Sequence, residues 1–343
     1  WEFLISLIFI FVGIFLPDKL IALLGGDSSI IAVSRDYTRI FMIFSPFFMW
    51  NHICMAFVRN DGNPSVAMAA TLFGSLFNIV FDYILMFPLG LGMQGAALTT
   101  GCSPIVGILI CCIHFKSSKC TITLKPVRLS VKRLLHSCHV GISSFVAELS
   151  SGVITIVFNM IILNIAGNTG VAAYGVIANT SLVAVSLFNG ISQGSQPLIS
   201  DSYGKGDLKN VMYLIKLAAA TSLFISVLLI TAVYLGAPSI TAVFNSEKNP
   251  LLAQYAISGL RIYFTGFLFA GINIVGSSIL SSVESAKFAF IVSIMRGFAA
   301  ITFFAFLLSK IFGLTGIWSA FPAAEFLTMF VTVYGLFKIH RPA

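Results

Sequence analysis

Charged residues are scarce in this sequence: only 9% of its 343 residues are Asp, Glu, Lys or Arg, with 12 acids against 20 bases. An ordinary soluble domain carries about 25% charged residues, so this chain has too little charge to cover a water-exposed surface. A soluble enzyme, a disordered chain and a secreted disulfide-stabilised domain are therefore all disfavoured. The sequence also contains no glycine-rich phosphate loop and no HExxH motif, and we expect no enzyme.

Cysteine is infrequent as well, with six residues that form no CxxC pair. Cys111 and Cys112 lie inside an apolar run, whereas Cys120 and Cys138 flank a basic segment. Zinc sites and disulfide frameworks usually show closely or regularly spaced cysteines. We therefore expect Cys120 and Cys138 to be reduced in the cytoplasm and to bind no metal.

Apolar residues dominate instead: 58% of the chain is hydrophobic, 33 residues are Phe, and the mean hydropathy is +0.99. The apolar runs last about twenty residues, the length of a helix that crosses a bilayer. A membrane β-barrel would show alternating segments of about ten residues. The predicted fold class is an all-α, multi-pass membrane protein. We predict ten spans, the first of them short: 2–16, 38–58, 67–88, 93–115, 139–164, 171–199, 211–236, 255–282, 286–309 and 314–338.

Basic residues are distributed unevenly among the connections between these spans. If successive connections alternate sides, 13 of the 20 bases fall on one side and six on the other. The positive-inside rule places the richer side and the C-terminus in the cytoplasm of a plasma-membrane protein. Six bases lie between Lys116 and Arg133, where they indicate topology and give no reason to expect a nucleic-acid partner.

The sequence resembles itself at an offset of 221–222 residues. The matches pair three landmarks: Arg39 with Arg261, Pro17 with Pro238, and Gly92-x-x-Gly95 with Gly313-x-x-Gly316. Six spans separate equivalent helices, an even number, so the two halves are predicted to be parallel repeats. Chance similarity between apolar helices is the alternative interpretation.

The repeat also predicts the domain organisation: an amino-terminal lobe at 1–115, a cytoplasmic basic linker at 116–138 and a carboxyl-terminal lobe at 139–343. The second lobe has two helices before the one that matches residues 2–16. We therefore expect an intact architecture of two six-helix bundles, with roughly 80 residues and two spans upstream of Trp1. The amino-terminal lobe would then lack its first two helices in this sequence.

Ionisable residues within the spans are candidates for function, because a charge in hydrocarbon costs at least about 2.5–3.5 kcal/mol. Asn78 and Asp82 are one helical turn apart, so their side chains share a face and offer oxygen ligands to a hard cation or a relayed proton. Glu148 stands among serines, and burial would raise its proton affinity. A structural hydrogen bond across the bundle is the alternative for both acids.

A second group of polar residues suggests a substrate cavity. Asn179, Gln193 and Gln196 lie in one span that is also rich in glycine, a composition suited to a cavity wall or to contact between helices. Glu325 follows Pro322, and Arg296 is its candidate counter-charge. A structural ion pair is the alternative for that couple.

Four segments of the sequence resemble the multidrug and toxic compound extrusion family: 59–64, the pair Asn78-x-x-x-Asp82, 190–198 with 203–207, and 312–318 with 321–325. The resemblance covers essentially the whole chain. It implies two six-helix lobes, alternating access, and drug export coupled to inward movement of Na⁺ or H⁺. It also implies that Asp82 and Asn78 form the cation or proton site of the amino lobe.

For the carboxyl lobe, the resemblance implies that Glu148 is the coupling acid of its first helix, with Na⁺ as one candidate ion. Two features depart from the family pattern. The family's first-helix acid is absent from this sequence, and an acid that some relatives carry in the span 255–282 is replaced by Ala270. Asn273 follows one turn later and is taken as a further cavity candidate.

We therefore predict a monomeric antiporter in the lipid bilayer that exports amphipathic, often cationic small-molecule drugs, with a coupling ion and no cofactor. Two alternatives stay open. A flippase for a lipid-linked precursor would need several bases in its cavity, where only Arg296 is a candidate. In a non-transporting membrane scaffold, neutralising the acids would change nothing.

Overall fold

The structure, a computed structural model, describes residues 1–23, 28–117, 120–123 and 129–339. Parts of the predicted linker at 116–138 and the last four residues therefore lie outside the described ranges. The chain forms two compact units, Trp1–Val131 and Lys132–Ala343, with a boundary inside that linker. Within the described ranges the secondary structure is helical, without strands.

The first unit is a bundle of six helices closed by a short 3₁₀ turn at Ile113–Lys116. Its helices are α1 (Glu2–Phe15), α2 (Pro17–Leu23), α3 (Ser28–Ile43), α4 (Ser45–Asn60), α5 (Pro64–Met86) and α6 (Gly92–Cys112). Proline stands at the first or second position of α4 and α5, where its missing N–H has no helical partner to lose. The antiparallel pair α5–α6 is the most closely packed part of this unit.

The second unit contains three long helices, α7 (Val131–Gly204), α8 (Leu208–Phe244) and α12 (Ala300–Lys338), and three shorter ones, α9 (Pro250–Tyr263), α10 (Phe267–Ser282) and α11 (Ala286–Ile294). A π-helical turn, Met295–Ala299, joins α11 to α12. The backbone of α7 breaks at Gly167 and that of α12 at Gly313, both with positive φ. We call the parts of α7 before and after Gly167 α7a (131–166) and α7b (168–204).

The described helices contain the ten predicted spans. Six helical stretches are long and apolar enough to cross a membrane, and α3 with α4, bent by 48°, makes a seventh. Two of the six, α7 and the run from α11 to α12, each hold two predicted spans, because the glycine breaks divide them. The remaining span is α1, a shorter apolar helix. The predicted boundaries were less accurate, since α7 begins at Val131 rather than 139.

Backbone geometry repeats between the two units at the predicted offset. Gly92 and Gly313 both have positive φ, at +50° and +57°. The turn residue Gly62 has φ +79°, and its equivalent, Glu284, has φ +58° although it is not glycine. Residues 221–222 positions apart therefore adopt the same uncommon conformation, which supports the repeat on structural grounds.

The paired arginine and proline landmarks also have a structural explanation. Pro238 has no N–H to donate to the carbonyl of Tyr234, four residues earlier. Arg261 Nε instead donates to that carbonyl at 3.4 Å. In the first unit, Arg39 Nη2 donates at 3.1 Å to the carbonyl of Ile14, at the end of α1. Each arginine thus satisfies a helix carbonyl near the proline.

Aromatic residues form the core of the second unit. Tyr174 of α7b stacks on Phe158 of α7a and on Trp318 of α12, with ring centroids 5.3 and 6.2 Å apart. Tyr263 stacks on Phe321 at 4.2 Å. These contacts hold α7, α9 and α12 together and fix the helices that carry the polar residues considered next.

Candidate functional site

In the first unit, Asp82 and Asn78 of α5 face hydroxyl groups of α6. The Thr99 hydroxyl donates to Asp82 Oδ1. Asn78 Nδ2 lies 3.4 Å from Thr100 Oγ1. Both α5 residues are half-buried, whereas Thr99 is buried. The predicted pair therefore becomes a group of four oxygen-bearing side chains on two neighbouring helices.

Small residues bring these oxygens together. A side chain at Gly95 of α6 would overlap Leu85 of α5, so only glycine permits this approach. Further along the pair, Ser103 Oγ donates to the carbonyl of Gly74 at 2.8 Å. Such close helix contact through small residues and hydroxyls is typical of membrane bundles. The resulting set of carboxylate, amide and hydroxyl oxygens is suited to a hard monovalent cation or to a proton.

Glu148 lies on the exposed face of α7a in the second unit. The buried face of the same helix carries Ser143 and Ser150, two turns apart. Ser144, one turn before Glu148, is also exposed. The carboxylate is therefore directed away from the core of its own unit.

The amides of α7b form an exposed polar stripe. Asn179, Gln193 and Gln196 are all exposed. Ser186 is a further exposed polar residue seven positions after Asn179, and Asn189, Gln193, Gln196 and Ser200 follow it at spacings of three or four residues. Residues at this spacing share one face of a helix. A polar stripe on an otherwise apolar helix is costly in lipid, which favours its contact with water or with a ligand.

Glu325, Arg296 and Asn273 form a separate, largely buried cluster, in which Arg296 is half-buried. Arg296 Nη2 lies 2.9 Å from Glu325 Oε1. Asn273 Nδ2 donates to Glu325 Oε2 at 2.7 Å, and Thr332 Oγ1 donates to Asn273 Oδ1 at 2.7 Å. Only 3% of Glu325 is exposed and Asn273 is fully buried. The network compensates the buried carboxylate with a base and a hydrogen-bond donor.

The structure therefore does not bring the six predicted cavity residues into one place. Asn179, Gln193 and Gln196 share the exposed stripe of α7b, whereas the other three form the buried cluster. Asn273 lines no accessible surface, because its amide is engaged on both sides within the core. For Arg296 and Glu325, the geometry favours the ion pair over a free cavity charge.

Sequence reasoning missed several partners. Thr99 and Thr100 were not predicted, because their role depends on the register between α5 and α6. Thr332 lies two turns after Glu325 on the same helix, a spacing from which it could have been found. The π-helical turn around Arg296 has no clear sequence signal, although such turns frequently occur at functional positions.

Comparison with known proteins supports a single family. The family model described as MatE matches residues 1–84 and 144–304, one segment in each compact unit. The multidrug export protein MepA of Staphylococcus saprophyticus is 27% identical over 321 residues, which cover 92% of this chain and 70% of that protein. MepA of Staphylococcus aureus strain bovine RF122 is 26% identical over 327 residues, covering 94% of this chain and 71% of that protein.

Solved structures agree with this assignment at the level of the fold. A crystal structure of MATE in complex with MaL6 has a TM-score of 0.92 at 20% identity, covering 99% of this chain and 77% of that chain. The outward-facing conformation of a multidrug resistance MATE family transporter gives 0.89 at 21% identity, covering 98% and 77%. The likeness confirms the predicted all-α fold class.

Proposed function

The chain belongs to the MatE family, and from this premise we propose that it exports amphipathic, cationic organic compounds across the plasma membrane in exchange for Na⁺ or H⁺. The curated relatives are named multidrug export proteins. The two compact units would serve as the two lobes of an alternating-access transporter. The proposal depends most on the surroundings of Asp82.

Asp82 is an acid within an apolar span whose hydrogen-bond partner is a neutral hydroxyl. Among the described residues, no base is ion-paired with it. A carboxylate in such a place is costly when charged and unoccupied. A cation or a proton that binds there removes the cost, and the neighbouring amide and hydroxyl oxygens supply further ligands.

Coupling requires that the ion and the drug favour different states of the protein. If Asp82 and Glu148 bind the ion more tightly in one state, ion binding shifts the population towards that state. By linkage, the drug's affinity must then change by the same factor. One acid in each unit gives both lobes a means of responding to the ion.

The exposed stripe of α7b is the best candidate for drug contact. Its amides and hydroxyls carry no positive charge that would repel a cationic compound. They can donate and accept hydrogen bonds with ligands of varied shape. We therefore place Asn179, Gln193 and Gln196 in the proposed cavity wall and leave the Glu325 cluster with a structural role.

The flippase alternative is weakened by the same cluster. A carrier of lipid-linked phosphate groups would need unpaired bases within its cavity. Arg296, the candidate base, is already paired with Glu325 at 2.9 Å. A scaffold without transport is distinguished from the exporter by experiment.

Ethidium efflux from cells expressing the full-length protein tests the proposal. We expect Asp82→Asn and Glu148→Gln each to reduce the efflux rate at least about tenfold, since a neutral side chain cannot exchange the ion. Asp201→Asn is the matched control, because this exposed acid is paired with Lys205 on the surface. Both variants pumping like the parent would exclude the assigned coupling roles, and a parent that shows no efflux would favour the scaffold.

A further inference from the structure

A mixed cluster of ligating side chains lies where α6 ends. His114 Nε2 is 2.7 Å from Asp61 Oδ2. Cys120 is the third member, and the three candidate ligand atoms all lie within 4.8 Å of one another. Asp61 belongs to the turn between α4 and α5, so three separate segments of the chain meet here.

The cluster is organised by its neighbours. His114 is fully buried, and its Nδ1 lies 3.2 Å from Asn63 Nδ2. The backbone N–H of Thr121 donates to Asp61 Oδ2 at 2.8 Å, and the Thr121 hydroxyl donates to Oδ1. The Thr121 hydroxyl and the His114 ring hold the pKa of Asp61 at about 2, so the carboxylate is ionised at neutral pH.

Imidazole nitrogen, carboxylate oxygen and thiolate sulfur are the three ligand types of protein zinc sites. Three protein ligands leave the fourth tetrahedral position to water. Zn–N and Zn–O bonds of about 2.0–2.2 Å would need the His114 and Asp61 atoms to separate to about 3.3 Å, a movement of roughly 0.6 Å. Cys120 is half-buried, which leaves a route for the ion.

We propose that Asp61, His114 and Cys120 bind a divalent transition-metal ion of the zinc type, which fastens the start of the 116–138 segment to the α4–α5 turn. The proposal departs from the expectation that Cys120 binds no metal. That expectation depended on the absence of CxxC, which says nothing about ligands from distant segments.

Metal binding has a defined proton balance. The Cys120 thiol loses its proton to solvent as the sulfur coordinates the ion. His114 would coordinate through Nε2, so its ring proton would lie on Nδ1 and be donated to the Asn63 amide oxygen once that amide rotates. Such a hydrogen bond to the second ring nitrogen is usual for metal-bound histidine. One proton is therefore released per ion bound.

A purely hydrogen-bonded anchor is the competing explanation. Asn63 donating to His114, and His114 donating to Asp61, would satisfy both ring nitrogens without an ion. In that arrangement the Cys120 thiol donates locally, to the carbonyl of Ile122 at 3.9 Å, rather than to the ring or the carboxylate. Cys120 is therefore the residue that separates the two explanations.

The test is a Co²⁺ titration of the purified full-length protein under reducing conditions, followed by competition with Zn²⁺. The parent should show a thiolate-to-cobalt charge-transfer band that Zn²⁺ abolishes. Cys120→Ser should remove the band and weaken Co²⁺ binding about 100-fold or more. Calorimetry in buffers of different ionisation enthalpy should report release of one proton in the parent.

Cys138→Ser is the matched control. Cys138 is exposed and adjoins His139, so it could give an adventitious surface signal. The proposal requires the band to survive this change. A band that disappears in Cys138→Ser but persists in Cys120→Ser would overturn the proposal, and so would a parent protein that shows no thiolate band.

Discussion

At the scale of single residues, the cost of a buried charge separates two kinds of acid in this chain. Glu325 is buried, but Arg296 and Asn273 compensate its charge through contacts of 2.7–3.0 Å. Asp82 has a neutral hydroxyl partner instead. The compensated charge of Glu325 suits a permanent structural role, whereas the Asp82 carboxylate is open to a visiting ion.

Arg296→Gln should lower the free energy of unfolding by about 3 kcal/mol, because it leaves the buried Glu325 carboxylate without its base. Adding Glu325→Gln should restore most of that loss, since two neutral amides can bond to each other. Thermal unfolding in detergent measures both variants. A double variant no more stable than Arg296→Gln alone would contradict the assigned ion pair.

Glu284→Gly should raise the free energy of unfolding by about 1 kcal/mol, because Glu284 has φ +58° and only glycine adopts this region without a steric cost. Gly62→Ala is the matched control at the equivalent turn. A Cβ at position 62 would contact nothing within 4 Å. We expect Gly62→Ala to lower the free energy of unfolding by a similar amount, through backbone strain alone. Equal melting temperatures for both variants and the parent would refute this interpretation.

At the scale of elements, prolines and glycines determine where helices bend and which backbone groups need a hydrogen-bond partner from outside the helix. Pro238 leaves α8 unbroken, yet it removes the hydrogen bond that Tyr234 would receive within the helix. Arg261 supplies a replacement and also lies over the Tyr234 ring, 4.9 Å from its centroid. Two of the landmarks that revealed the repeat, Pro238 and Arg261, are thus linked through the Tyr234 carbonyl.

Arg261→Met should destabilise the parent by about 1–1.5 kcal/mol, because the Tyr234 carbonyl loses its donor. In a Pro238→Ala background the same change should cost clearly less, since an alanine at that position restores the helical N–H. A double-mutant cycle measured by thermal unfolding gives the coupling. Equal costs in the two backgrounds would show that Arg261 acts independently of the proline.

At the scale of the whole molecule, the sequence predicted the helical class, the ten spans and the repeat, because each depends on residue patterns that are visible along the chain without knowledge of its contacts. Hydrophobic runs mark the spans, and residues such as Gly92 and Gly313 mark equivalent turns. The hydrogen-bond partner of Asp82 and the contact between Asp61 and His114 both depend on segments that are distant in the sequence. One sequence without its fold does not reveal such contacts.

The predicted cytoplasmic C-terminus and the two upstream spans stay predictions. The coupling roles of Asp82, Asn78 and Glu148 also stay predictions, and in the structure these side chains are half-buried or exposed. The six predicted cavity residues fall into two groups in the structure. Asn273 belongs to the buried group because of helix packing, which the composition of the sequence does not specify.

Transport by the purified full-length protein in proteoliposomes tests the central claim most directly. Ethidium movement is followed while a Na⁺ gradient or a pH gradient is imposed separately. We predict movement against the ethidium gradient, driven by one of the two ions and abolished in Asp82→Asn combined with Glu148→Gln. Ethidium movement that ignores both gradients, or that persists in the double variant, would contradict ion-coupled export.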